Sequence, residues 1–327
     1  MHFTVEVLVT AYPAALTERD AWIVARRGAR HAVDPMRPWA FFVEEERSAS
    51  GEIVSIATIF LTNRECPWRC LMCDLWRNTL TGETPVGAIP AQIDFALERL
   101  PASQQMKLYN SGSFFDRKAI PVEDHAGIAE RVRGFERVIV ECHPALVGDD
   151  CLRFRDRLSG KLEVAMGLET VHEQVLGRLN KRMTLESFRG AADRLRENQI
   201  DLRVFILVRP PFMREEEAVE WAARSVDFAF ECGATAATLI PTRGGNGAME
   251  ELATGGDFAP PSLSSVEAAA EYGVHRGRGR VFVDLWDLAR VAGCGACSGQ
   301  RVDRLRRMNL RQEALPRVIC EECGGQS

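Results

Sequence analysis

Long apolar runs are missing from this chain. No stretch approaches the roughly 18 residues that span a bilayer, so the sequence predicts no membrane helix. A secretory leader is missing as well. The opening "MHFTVEVLVT" has neither a basic start nor a small-residue cleavage site, so we expect a cytoplasmic protein. A general excess of positive charge is missing: the formal net charge is −5, which argues against a surface that binds nucleic acid everywhere. Repeats and low-complexity tracts are also missing, which argues against a solenoid. What is present is a chain of 327 residues, 46% hydrophobic, enough for one barrel-sized domain with a smaller appendage or for two domains. It carries ten cysteines. In a cytoplasmic protein these point to metal binding or catalysis rather than to disulfides.

Strand and helix patterns alternate. Apolar, β-branched runs at 52–62, 105–111, 137–142, 161–169, 201–208 and 234–241 read as six strands. Helical patterns follow around 91–100, 121–132, 149–158, 184–198, 215–231 and 262–273. Thr184 fits an N-cap, Asn198 a stop, and Gly233 lies just past the end of an acid-started helix. Six such units imply a parallel sheet with right-handed crossovers, either an open sheet or a curved barrel. Its near-continuous apolar strands fit a sheet covered on both faces. Polar and cysteine-rich residues gather just after the strand ends, where α/β folds place their sites. The Gly-rich "PTRGGNG" (241–247) reads as a loop that brings backbone close to a ligand.

The densest feature is "CPWRCLMC" at 66–73. Cys66, Cys70 and Cys73 could be buried thiols or zinc ligands. Alternatively they could hold three irons of a [4Fe–4S] cluster and leave the fourth iron open. A C-x3-C-x2-C loop after the first strand of a (β/α)6 chain resembles the radical SAM superfamily. That resemblance implies a [4Fe–4S] cluster, S-adenosylmethionine (SAM) on the open iron, an external electron donor and a 5′-deoxyadenosyl radical. It also implies a partial (β/α)6 barrel. Met72 stands where the family often has an aromatic residue, and its thioether could pack near an adenine.

Further motifs carry the resemblance to the elongator-like subgroup. "YNSGSFFD" (109–116) matches the glycine-containing motif for the SAM amino group, which implies roles for Asn110, Ser111 and Gly112. The other reading is an ordinary turn. "VECHP" (140–144) and "GLETVHEQVLGRLNKRMT" (167–184) bring Glu141 and Glu169 as contacts to the ribose or amino group of SAM. Either glutamate could instead form a structural ion pair. In "LVRPPF" (207–212), Arg209 is placed to hold a carboxylate or to pair with a helix acid. From about residue 50 onward, these motifs together with "IPTRGGNGAMEEL" are similar to the radical SAM subunit of archaeosine synthases. In that family a lysine carried by 7-cyano-7-deazaguanine in tRNA loses its C–N bond, leaving a formamidine. A partner subunit is implied.

The C-terminus holds a second constellation, Cys294-x2-Cys297 and Cys320-x2-Cys323. Two such knuckles predict a zinc ribbon, with an auxiliary iron–sulfur cluster as the rival and no metal as the third reading. Cys142, Cys151 and Cys232 are expected in the core. Residues 275–317 carry ten Arg against four acids, a local +6 that leaves −11 elsewhere. This basic stretch reads as a solvated helix or as a grip on RNA phosphates. Phe282 and Trp286 are expected in the core rather than as base-stacking platforms.

The sequence thus predicts three parts: an N-terminal extension (1–50), a radical SAM barrel (51–274) and an Arg-rich segment with four metal-binding cysteines (275–327). Two alternatives to a tRNA-modifying enzyme stay open, a radical enzyme acting on a small metabolite and a non-enzymatic metal-dependent RNA-binding module.

Overall fold

A computed structural model describes residues 11–288 and 293–324. The first ten residues of the expected N-terminal extension, and 289–292 and 325–327 of the expected C-terminal segment, lie outside the described residues. In chain order the elements begin with α1 (Leu16–Ala25), β1 (Ala40–Arg47), β2 (Ile53–Phe60), α2 (Ala88–Leu97) and β3 (Gln105–Tyr109). They continue with α3 (Asp124–Arg131), β4 (Arg137–Glu141), α4 (Asp149–Arg155), β5 (Lys161–Glu169), α5 (Glu173–Arg178) and α6 (Leu185–Glu197). Next come β6 (Asp201–Val208), α7 (Glu215–Glu231), β7 (Ala236–Pro241), α8 (Ala248–Thr254), α9 (Leu263–Arg276), β8 (Arg280–Val283) and α10 (Ser298–Arg311).

The sheet has eight strands in sequential order. β2 through β8 pair in parallel, and β1 adds an antiparallel strand beside β2. It curls into a half-barrel. The six expected strands are β2 to β7, while β1 and β8 flank them as unforeseen edges. The Thr184 cap is present and reciprocated by Ser187, so both ends of that first turn are satisfied.

Alternation along each strand separates two faces. Met106 and Leu108, Val138 and Val140, Val164 and Met166, and Val204 and Ile206 pack outward in one core beneath the helices. Cys142, Cys151 and Cys232 are buried in that core. The other face is not apolar. Lys107, Arg137, Glu163, Arg203 and Arg280 point into the barrel from the first halves of their strands, and Glu46 joins them from β1.

These charges neutralise one another. Arg203 donates to Glu163 Oε1 at 2.7 Å and to Glu46 Oε2 at 3.0 Å. Lys107 Nζ reaches Glu46 at 2.7 Å and Glu44 at 2.9 Å. Arg137 reaches Glu163 at 2.9 Å, and Arg280 reaches the same carboxylate at 3.4 Å. Buried charge is tolerated only when it is paired in this way.

The two sheet edges do not pair with each other among the described residues. α10 lies against both, packing on β8 and β1. Its Asn309 amide donates to Val283 O at 2.9 Å and accepts from Val283 N at 2.8 Å. Gln312, just past the helix, does the same at Val281, with 2.9 and 2.7 Å. Two side-chain amides therefore stand in for a ninth strand.

Burial alone would raise the Glu46 carboxyl, but Arg203 and Lys107 overcome this and hold it far below the usual carboxylate range. A depressed folded-state value means stability that is present above the unfolded value and lost as pH falls through the folded one. Glu46→Gln should therefore cost about 3–5 kcal/mol near neutrality, the usual penalty for breaking a buried pair. The deficit should shrink as pH falls below the ordinary value of 4.5. Urea unfolding of both proteins across pH measures this, and a deficit that does not change with pH would refute the network's role.

Candidate functional site

The sequence-predicted residues converge at the C-terminal ends of β2 to β6. Residues 61–74 leave β2 as a loop held from three sides. Leu61 N donates to Tyr109 O at 2.7 Å, and Leu71 N to Leu179 O at 2.9 Å. The Asn180 amide donates to Arg69 O at 2.8 Å, and Asn246 Nδ2 donates to Leu71 O at 2.7 Å and Cys73 O at 3.2 Å. Two asparagines from distant segments thus fix the loop that carries Cys66, Cys70 and Cys73.

Gly112 explains itself here. A Cβ at that position would lie 3.2 Å from Cys66 Cβ, so only glycine lets the β3 turn close against the loop without displacing it. Beside it, Asn110 is fully buried and both polar atoms of its amide lack a protein partner. Such orphans are rare unless a ligand or water completes them. Asn110 N donates to Glu141 Oε2 at 2.9 Å, and the amides of Ser111 and Gly112 also favour that carboxylate. Glu141 therefore ties β4 to the β3 turn. Burial pushes its carboxyl up to about 7 despite those amides.

Glu169 ends β5 and accepts from Lys181 Nζ at 2.6 Å. Burial would favour loss of the lysine's proton, but Glu169 opposes this and holds the ammonium above its usual range. Gly167 lies directly beneath the pair: a Cβ there would sit 2.2 Å from Glu169 Oε1 and 2.5 Å from Lys181 Nζ. His143 stacks on Trp68 with 3.7 Å between ring centroids, its Nε2 facing Lys181 O at 3.0 Å and its Nδ1 accepting from Ala145 N. That pattern fixes a neutral imidazole protonated on Nε2. Burial and then Lys181 push its pKa down to about 4.

Ser111, Glu169 and Arg209 all adopt left-handed backbone, with φ of 54°, 66° and 52°. Three such non-glycine residues at the ends of β3, β5 and β6 mark a strained rim, as functional sites often show. Arg209 is already engaged, pairing with Glu215 at 3.0 Å and donating to Pro260 O at 2.7 Å. Of its two expected roles, the structure shows the pairing with a helix acid. Met72 packs beside two small apolar clusters, one with Leu71 and Met249 and the other with Leu179 and Leu207.

The three loop thiols fit an iron–sulfur cluster. Burial pushes each of them up to about 12, so no neighbouring cation is sufficient to ionise them. A metal that replaces their protons would be. Among the described residues, only the C-terminal four cysteines gather their ligand atoms within 4.8 Å. Cys66, Cys70 and Cys73 stand wider, as ligands of separate irons do and as ligands of one ion do not.

No family model matches the chain. Archaeosine synthase subunit beta of Methanosarcina acetivorans is 26% identical over 294 residues, spanning 83% of this chain and 84% of that protein. Elp3 of Methanocaldococcus infernus, lacking residues 1–46, superposes with a TM-score of 0.50 at 12% identity, over 72% of this chain and 60% of its own. Methylornithine synthase (PylB) gives 0.50 at 12% identity, over 69% of this chain and 64% of its own. The chain thus spans somewhat under two thirds of these two solved chains. The curled half-barrel is the radical SAM fold.

The chain also carries a separate C-terminal site. Cys294 and Cys320 place their sulfurs 3.9 Å apart, and Cys297 and Cys323 theirs 3.6 Å apart. A tetrahedral ion with Zn–S bonds of about 2.3 Å sets its sulfurs about 3.8 Å apart. The spacing fits one zinc ion and is too tight for four corners of a cubane cluster. Cys297 caps α10, so a metal here would anchor the start of that helix.

Two expectations for the 275–317 stretch need correction. Arg301 and Arg304 are not on a solvated face: both are buried, Arg301 on Glu267 at 2.8 Å and Arg304 on Glu271 at 2.6 Å. They fasten α10 to α9 and are closed to phosphate. Phe282 is in the core as expected, but Trp286 is 52% exposed.

The sequence reading missed Lys181, Gly167, Asn180 and Asn246. The first three lie inside the quoted 167–184 motif and Asn246 inside the Gly-rich loop, so the segments were marked although the individual roles were not.

Gly167→Ala should destabilise the protein by about 3–5 kcal/mol, because the new methyl must split a buried ion pair. Gly190→Ala, on the open face of α6 where an added Cβ meets nothing within 4 Å, should be neutral or slightly stabilising. Chemical denaturation of the two variants checks this, and equal stability would dismiss the crowding argument. Metal analysis of protein with its first cluster loaded should find about one zinc per chain. Iron near twice the first cluster's content, with no zinc, would instead establish an auxiliary cluster.

Proposed function

We propose that this chain is the radical-generating subunit of an archaeosine synthase. It would act on the lysine attached to 7-cyano-7-deazaguanine in tRNA, breaking the lysine C–N bond and leaving a formamidine on the base. The observation that carries this reading is the similarity to archaeosine synthase subunit beta along 83% of this chain and 84% of that one.

In this reading Cys66, Cys70 and Cys73 hold three irons of the cluster, and the Asn110–Gly112 turn receives the amino end of SAM. Glu169 serves the ribose side, held in place by Lys181, and Met72 lies toward the adenine. Glu141 acts indirectly by shaping the turn whose amides it accepts. When bound and reduced by an external donor, cluster and SAM supply a 5′-deoxyadenosyl radical that abstracts hydrogen from substrate. The chain's own work is to orient and to exclude water. Trp68 and neutral His143 shield one flank of the loop, and the charged floor closes the opposite end of the barrel. The C-terminal four-thiol site is assigned to zinc.

The charge distribution favours delivery of tRNA by a partner subunit. With Arg301 and Arg304 buried, the basic face of α10 reduces to Arg306, Arg307 and Arg311, and the first two already pair with Asp303.

Anaerobic enzyme with SAM, dithionite and lysine-modified tRNA should release 5′-deoxyadenosine and form the formamidine, read by mass spectrometry of the digested tRNA. Binding should weaken steeply with salt as counterion release is lost. Reversal of Arg306 and Arg307 to Glu should weaken the chain's own tRNA binding far more than binding in the presence of the partner. Turnover of a free small molecule without salt dependence would overturn the tRNA reading in favour of a metabolite substrate.

A further inference from the structure

Above the charged floor, the inner wall of the barrel is aromatic. Phe205, Tyr109 and Phe60 follow one another across β6, β3 and β2, with centroid spacings of 6.2 and 5.9 Å. Phe42 of β1 continues the arc at 5.9 Å from Phe60. Trp286 completes it from the loop after β8, stacked on Phe42 at 6.4 Å and 18°. The arc therefore crosses the seam where the two sheet edges fail to pair.

Trp286 is the exposed end of this arc, with 52% of its surface open. An indole left open to water forgoes a large part of its hydrophobic stabilisation. Its position is nevertheless fixed. Asp284 Oδ1 accepts from Trp286 N at 2.9 Å, and Arg243 Nη1 donates to Trp286 O at 3.0 Å. Arg243 also pairs with Asp284 at 3.2 Å, which closes the triangle. The same 242–247 loop reaches the other way, where Asn246 holds the carbonyls of Leu71 and Cys73. One short segment thus sets the distance between the cysteine loop and the exposed indole.

We propose that Trp286, backed by Phe42, is the platform on which the planar base of the substrate stacks. An indole with a rigid main chain, one face supported and its surface open at a barrel mouth, recognises a flat heteroaromatic ring. A flexible aliphatic substrate would gain little from it. The inference rests on the proposed function in taking that ring to be the deazaguanine of tRNA. The geometry on its own commits only to a planar base.

The experiment measures equilibrium binding of 7-cyano-7-deazaguanosine and of lysine-modified tRNA to cluster-loaded enzyme saturated with SAM, so that the adenine site is already filled. Trp286→Ala should weaken both by about 5- to 150-fold, the span that aromatic–base stacking covers. Trp286→Phe should restore most of the loss. An unchanged urea midpoint shows that the loss is local, as an exposed side chain leads one to expect. Wild-type affinity in Trp286→Ala, or failure of the wild type to bind either probe, overturns the platform. If the wild type binds the nucleoside through Trp286 but leaves lysine-modified tRNA unreacted, the platform stands and the archaeosine reading falls.

Discussion

The buried contact between Arg203, Glu46 and Glu163 is the constraint on which the architecture rests. A sheet that curls without closing leaves an interior that must be filled from within. This protein fills the lower half with paired charge instead of aliphatic side chains. Because Glu46 belongs to the antiparallel β1 and Arg203 to β6, their contact crosses the lumen and sets how far the sheet can open. An apolar filling of equal volume could be as stable, but it would not fix the position of β1 relative to β6 in the same directional way.

With the floor set, the strained rim follows. Ser111, Glu169 and Arg209 hold left-handed backbone at the ends of β3, β5 and β6, and each is held by a partner from another segment. Glu141 secures the first turn, Lys181 the second and Glu215 the third. The cysteine loop contains no helix or strand and relies on Asn180 and Asn246 in the same manner. Order at the mouth is thus imposed by side chains on main chain, an arrangement that keeps the loop in place before any cofactor arrives.

Much of this was legible in the sequence where the signal was local. Six strands could be read because each apolar run is followed by a helical pattern. The thiols could be read because each set lies within a few residues. β1 escaped because "AFFVEEER" carries its inward acids where a strand pattern leads one to expect apolar residues, and β8 escaped because it has only four residues. Lys107, Arg137, Glu163 and Arg203 sat inside strands read as covered on both faces, and only the curl of the sheet shows what they meet. Asn246 could not be assigned at all, since its partner Leu71 is 175 residues away. Arg301 and Arg304 looked like solvent-facing charges until α9 supplied Glu267 and Glu271.

The amide caps of Asn309 and Gln312 have a meaning outside the chemistry of the barrel. They occupy the main-chain groups of β8, which would otherwise offer a template for any extended peptide. α10 presents those caps, and its first turn begins at Cys297 of the four-thiol site. If that site holds an ion, losing it would loosen the helix from its anchored end and uncover a bare strand edge far from the cysteine loop. The resulting defect would be one of self-association, visible as aggregates in which the cysteine loop at the barrel mouth is still intact. Metal supply would then govern how much of the protein stays dispersed more than how the barrel mouth is arranged.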